Sequence, residues 1–239
     1  MNIQTKEEDP IRVPKQMFRM RLSALSLVIS GLLFVLYPTI RPFSDETSLQ
    51  GATAFASTNW LVAHILAIVA FTLLPIGLLG LHNSLQGTAV NSLAYWAIVL
   101  CLIGIGLTLP IYGGETFGLH AIGEEAIRQR TTTLVSLATV VRSGAGLAMF
   151  LVGLLLLAIA AIILAITIWW SGRYPKWSGV PFALGMGLYT PQFFFGQPLR
   201  ITHGILVAIG CLWIAVGLWR QSNQNIGWKL QSTTLHSER

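Results

Sequence analysis

Apolar residues in this chain neither alternate with polar ones nor mark one face of a helix; they gather into long, nearly unbroken runs. Six runs, at roughly 20–40, 59–81, 94–112, 145–170, 178–196 and 201–219, are each about 19 to 26 residues long. A helix rises about 1.5 Å per residue, so about 20 apolar residues cross a hydrocarbon core about 30 Å thick. Backbone groups inside lipid must find their hydrogen bonds within the protein, which helices of this length do. The pattern predicts an all-α fold. It reads as a polytopic integral membrane protein, a six-transmembrane-helix bundle over 20–219 with short polar tails at 1–19 and 220–239. Segment 113–130, GGETFGLHAIGEEAIRQR, adds an amphipathic outer helix between the third and fourth spans. Glu115 shares its apolar stripe with Leu119, Ile122 and Ala126, while His120 and Glu124 lie one turn apart on a more polar face.

The runs are not alike. The fifth, GVPFALGMGLYTPQFFFGQP, carries three prolines and four glycines. Pro191 removes a backbone donor and predicts a kink or break there. Broken membrane helices are tolerated where the freed backbone faces protein or a wet cavity, so this stretch is either a cavity wall or a simple kink. Ser23, Ser26 and Ser30 in the first run, and Gly104 and Thr108 in the third, suit close helix contact. Trp60, Tyr95, Trp96, Trp169, Trp170, Trp177 and Trp219 fall near run ends, as interfacial aromatics do, and Trp213 does not.

Composition sharpens this picture. The 239 residues are 54% hydrophobic and only 10% charged, against about 25% charged in a soluble domain. The net charge of +6 forms no basic, aromatic-interleaved surface, so nucleic acid is not an expected partner. It reads instead as a topology signal. Lys6, Arg12, Lys15, Arg19 and Arg21 precede the first run, Arg173 and Lys176 follow the fourth, and Arg220, Lys229 and Arg239 follow the sixth. Asp45, Glu46, Glu115, Glu124 and Glu125 lie on the other side under alternation. The positive-inside rule then puts both termini in the cytoplasm. Leu22–Tyr37 is longer than a signal-peptide core and no small-residue cleavage site follows, so it reads as a retained anchor in a cell membrane. Cys101 and Cys211 sit singly in apolar runs and read as small hydrophobes. The chain has the general look of small polytopic proteins of a bacterial inner membrane, and no motif in it assigns a family.

The few polar residues within or beside the runs collect on the outer side: His64, Glu115, His120, Glu124, Arg142, Gln192, Gln197, Arg200 and His203, with Tyr112 and Tyr189 near them. His64 and His203 fall at similar depth, about 4–6 Å inside the boundary. His203 shares a stripe with Val207, Gly210, Ile214 and Gly217 that points it into the bundle, whereas apolar neighbours on every side leave the facing of His64 open. A polar pocket built by the second, fifth and sixth spans and the 113–130 helix is the expectation. Three functions fit it. The first is binding of a small ligand or lipid, with Tyr112, Tyr189, Gln192 and Arg200 as contacts and no catalysis. The second is a metal or haem centre, zinc or iron, with His64, His203 and Glu124 or their neighbours Glu115 and His120 as ligands. The third is acid–base catalysis on a lipid or isoprenoid-like substrate, with Glu115 and His120 as the catalytic pair and Phe193, Phe194 and Phe195 lining the slot. Each residue also has a plain structural reading: interfacial histidines, Glu115 in the first turn of a helix, Glu124–Arg128 as a solvated ion pair, and the Phe run as an anchor. Membrane lipids are the expected surroundings, and a homo-oligomer or a membrane partner is possible on this pattern.

Overall fold

A computed structural model describes residues 12–237, with side chains over 16–224. The rest of the N-terminal tail, including Lys6, and Arg239 at the other end lie outside the described residues. Among the described residues the fold is helices and turns, with no strand. Five helices are long and apolar enough to cross a membrane, and their spans cover Gln16–Ile40, Thr58–Ser84, Asn91–Gln129, Gly144–Ser171 and Gln197–Gln224. They belong to α1 (Arg12–Ile40), α3 (Thr58–Ser84), α4 (Asn91–Gly113) continuing into α5 (Leu119–Gln129), α7 (Gly144–Ser171) and α9 (Gln197–Ser237). Three short helices complete the set: α2 (Leu49–Ala56), α6 (Leu137–Val141) and α8 (Val180–Gly187).

The fifth apolar run, unlike the other five, is not one continuous helix. It folds as a 3₁₀ turn (Lys176–Gly179), the eight-residue α8, and a second 3₁₀ turn (Pro191–Phe194). Pro181 starts α8 and Pro191 starts the second turn, each where its missing donor is harmless, and the glycines between them do not sustain a longer helix. The broken stretch still runs the length of the bundle beside α7. The Trp177 ring packs 4.8 Å from Trp169 at one end and the Phe193 ring 5.6 Å from Phe150 at the other. The first and last spanning helices meet in the same sense: Arg21 donates to Asn223 at 3.3 Å and lies over the Trp219 ring. The start of α1 and the far part of α9 therefore share one end of the bundle.

α1 packs between α3 and α9, while α7 packs against α4 and α8. Serines and glycines set the spacing. Ser23 and Ser30 donate across to the Ile76 and Ala70 carbonyls, and Ser26 bonds within its own helix. α4 and α7 cross at Gly104 and Gly153, so close that a Cβ on Gly153 would lie 2.7 Å from the Gly104 carbonyl oxygen and 2.6 Å from Thr108 Oγ1. Gly204 meets the Phe34 carbonyl in the same way. These approaches give van der Waals contact to helices that lipid would otherwise solvate as well as a neighbour does. Leu25, Leu32, Ile65, Leu102, Leu155 and Ile209 point outward, as the lipid face of such a bundle requires. Cys101 and Cys211 are buried and unpaired. Trp60 corrects the interfacial reading: it is wholly enclosed.

Candidate functional site at the end opposite the termini

Segment 113–130 is not a separate helix. α4 runs without a stop through a π-helical turn, Gly114–Gly118, into α5. Pro110 weakens the helical ladder just before it, and the wide turn is where an extra residue is absorbed. Glu115 sits on that turn and points inward, with Leu119 and Ala126 of its stripe fully enclosed. α5 then lies on α2 so closely that a Cβ on Gly123 would stand 2.7 Å from the Ala52 carbonyl oxygen. His120 ties the two helices, its Nδ1 donating to the Phe55 carbonyl at 2.8 Å. The α2–α5 pair caps this end of the bundle.

Beneath the cap lies a closed network of charges. Arg142 grips Glu115 with both Nε and Nη2, the latter at 2.8 Å, and reaches Glu46 with Nη1. Arg41 donates to the other oxygen of Glu46 at 2.7 Å and stacks 4.6 Å from the Trp60 ring centroid. Trp60 Nε1 donates to the Glu115 carbonyl at 2.7 Å. His64 Nε2 faces Glu115 Oε2 at 3.7 Å, while its Nδ1 donates to the Trp60 carbonyl at 2.8 Å. Burial works against the charge of Glu46, but Arg41 and Arg142 outweigh it and hold this carboxyl below its ordinary pKa. Burial likewise opposes the charge of Arg142, and Glu115 and Glu46 more than offset it, raising that guanidinium above its ordinary value. Fork-shaped guanidinium contacts of this kind fix geometry as well as charge.

Next to the network is a layer of a different character. The Tyr189 hydroxyl bonds to Tyr37 at 3.1 Å and, more tightly, to Tyr112. The His203 ring meets Tyr189 edge-on at 4.5 Å, and its Nδ1 donates to the Gly185 carbonyl at 3.0 Å. Gln192 is fully enclosed within reach of the Tyr37 hydroxyl, yet neither its amide nitrogen nor its oxygen makes a hydrogen bond of good geometry. His203 Nε2 and Arg200 Nε are also buried without one. Arg200 lies over the rings of Phe43 and Phe193. Gln197 reaches the Pro38 carbonyl at 3.4 Å.

The polar residues at this end of the bundle thus divide into two groups. Glu115, Arg142 and His64 join Arg41, Glu46 and Trp60; Tyr112, Tyr189, Gln192, Arg200 and His203 join Tyr37. The proposed metal ligands do not converge. His64 and His203 flank the tyrosine pair Tyr112–Tyr189, and Glu124 is a mostly exposed side chain that faces His120 Nε2 at 3.4 Å. Among the described residues no three His, Cys, Asp or Glu side chains are grouped closely enough to hold a metal ion. The Glu124–Arg128 pair is corrected too: Arg128 bonds Glu125, three residues away, with Nε at 2.7 Å. Tyr37, Arg41, Glu46 and Trp60 complete the site without having been singled out. The signal for Arg41 and Glu46 was present, an arginine and two acids within six residues of a span's end; Tyr37 carried none. No protein-family model, curated protein or solved structure matches this chain.

Proposed function

We propose that this multi-pass membrane protein binds a small ligand or lipid in the polar layer formed by Tyr37, Tyr112, Tyr189, Gln192, Arg200 and His203. We further propose that it resides in a cell membrane with both termini in the cytoplasm and this layer near the outer face. The shared end of α1 and α9 supports that orientation, because ten of the fifteen Lys and Arg precede the first apolar run or follow the fourth and sixth.

One observation carries the binding reading: Gln192 is enclosed with neither amide atom in a well-formed hydrogen bond. Leaving a buried amide unbonded costs about 1–3 kcal/mol per group, so folds tolerate it where another molecule supplies the partner. The donors on offer are an amide, a guanidinium N–H and phenol hydroxyls, in an aromatic setting of packed rings with Phe34, Phe71, Phe150 and Phe193. Such a setting fits an apolar molecule with a hydrogen-bonding head. The Phe193–Phe195 run is exposed at the broken stretch and gives a route from lipid. Catalysis by Glu115 finds less support, because both of its oxygens are engaged by Arg142.

The test is extraction and mass spectrometry of what co-purifies with the detergent-solubilised protein and with Gln192→Leu. One compound retained by the parent chain and lost from the variant is the expected result. Identical extracts from two well-folded proteins would overturn the reading.

A further inference from the structure

The opposite end of the bundle holds a second polar feature, unrelated to the layer above. A cleft of about 220 Å³ opens between α9 and the connection that follows α7. Its polarity is graded along α9. Arg220, Gln221 and Gln224 line one part together with Arg173, and Trp213 and Val216 line the other together with Pro175. Trp213 and Arg220 are seven residues apart, about 10 Å along the helix. Trp213 and Val216 are exposed on the face that lipid covers. Trp169, Trp170, Trp177 and Trp219, all exposed near this end, mark the headgroup level.

The wall is built rather than accidental. Tyr174 is buried against Gly217, where a Cβ would lie 2.5 Å from its ring, and its hydroxyl bonds Ser84 at 2.6 Å and donates to Gln221 at 3.3 Å. Gln221 in turn donates to the Arg173 carbonyl at 3.3 Å, and Arg173 itself reaches the Ser84 carbonyl. No carboxylate lines the cleft among the described residues. Two guanidiniums share a cavity that opens onto hydrocarbon through a tryptophan and a valine.

We propose that this cleft binds the phosphate-bearing headgroup of an anionic phospholipid, with the glycerol and first methylenes lying on Trp213 and Val216. Guanidiniums are the side chains best matched to phosphate oxygens, and basic recesses between helices at the headgroup level attract anionic lipids. A soluble phosphate ester offers the same charge, but the apolar half of the cleft gives it nothing to bind.

Full-length protein in detergent is titrated with phosphatidylglycerol, phosphatidylcholine and glycerol 1-phosphate and read by native mass spectrometry. Phosphatidylglycerol is expected to bind on the order of tenfold tighter than phosphatidylcholine, the scale that two basic residues at a membrane surface supply. R173Q/R220Q should bring the two lipids level, and R128Q, which removes an exposed arginine at the other end, should leave the preference unchanged, which separates this site from a general loss of positive charge. Because Arg173 also holds a helix end, R220Q alone is the second variant and should lose a measurable part of the preference. Equal binding of the two lipids, or a preference untouched in both arginine variants, overturns the proposal. Glycerol 1-phosphate binding as tightly as phosphatidylglycerol overturns it in favour of a soluble anion.

Discussion

The two ends of this bundle use the same residue in opposite ways. Under the α2–α5 cap, Arg41 and Arg142 are spent on Glu46 and Glu115, and the four charges close on one another. At the other end Arg173 and Arg220 line a cleft with no carboxylate among the described residues of its wall. A paired guanidinium is a structural element, while one that faces a cavity is available to an anion. Charge alone does not distinguish them; the partner does.

The sharpest way to break this contrast is to remove Arg142. Arg142→Leu leaves Glu115 without its partner under the cap. In this partly buried setting the loss should be roughly 2 kcal/mol, a fraction of the about 3–5 kcal/mol that a fully buried ion pair costs. Chemical denaturation in detergent should show a loss of that order, and the double variant Arg142→Leu/Glu115→Leu should recover much of it. R220Q at the other end should change stability little, as expected of an exposed side chain. Comparable losses at both ends would erase the distinction.

Between the ends, the register of α4 on α7 depends on Gly104 and Gly153. Gly153→Ala forces a methyl against Thr108 Oγ1 and a carbonyl, and overpacking of this kind costs about 1–3 kcal/mol. Thermal unfolding should report it, with Gly106→Ala, where a Cβ would meet nothing within 4 Å, as the harmless control.

Gln192→Leu has the opposite sign. If the amide is kept for a ligand, replacing it by a side chain of similar size removes buried unbonded groups and should stabilise the ligand-free protein by about 1 kcal/mol or more. The same change should abolish retention of the co-purifying compound. Destabilisation would mean that the amide serves the fold, and the polar layer would then belong with the paired network.

Most of the architecture was legible because lipid imposes it: run length and uninterrupted apolarity leave few alternatives to helices. Helical period put Glu115 on one stripe with Leu119 and Ala126, but such a stripe can face lipid or protein, and it is the packing of α5 on α2 that turns it inward. What periodicity does not encode is which distant segments meet. Nothing local says that Arg142, 27 residues on, returns to Glu115, or that Tyr37 from α1 joins Tyr189. The proposed metal set failed for the same reason. Equal depth in the membrane puts His64 and His203 in one layer without putting them on facing sides, and the tyrosines fill the space between. Glu124 and Glu125 both lie within helical reach of Arg128, four and three residues back on α5, and spacing alone does not say which one it takes. The broken fifth stretch was flagged by its prolines, but they do not say how short the remaining helix will be.

The smallest effect is the pH dependence of the paired end, and its sign follows from Glu46. Its folded pKa lies below the unfolded value because Arg41 and Arg142 favour the carboxylate. The stability it contributes is therefore fully present above the unfolded Glu value of about 4.3 and is lost as pH falls through the lower folded value. Denaturation midpoints should stay level with respect to this group from neutrality to about pH 4.3 and decline below. Glu46→Gln, which cannot ionise, should lower stability at neutral pH and flatten part of the acid decline. A decline of equal size in the parent and in Glu46→Gln would show that Glu46 is not held ionised by the two arginines. The closed network would then reduce to Arg142 and Glu115, and the contrast between the ends would rest on that single fork.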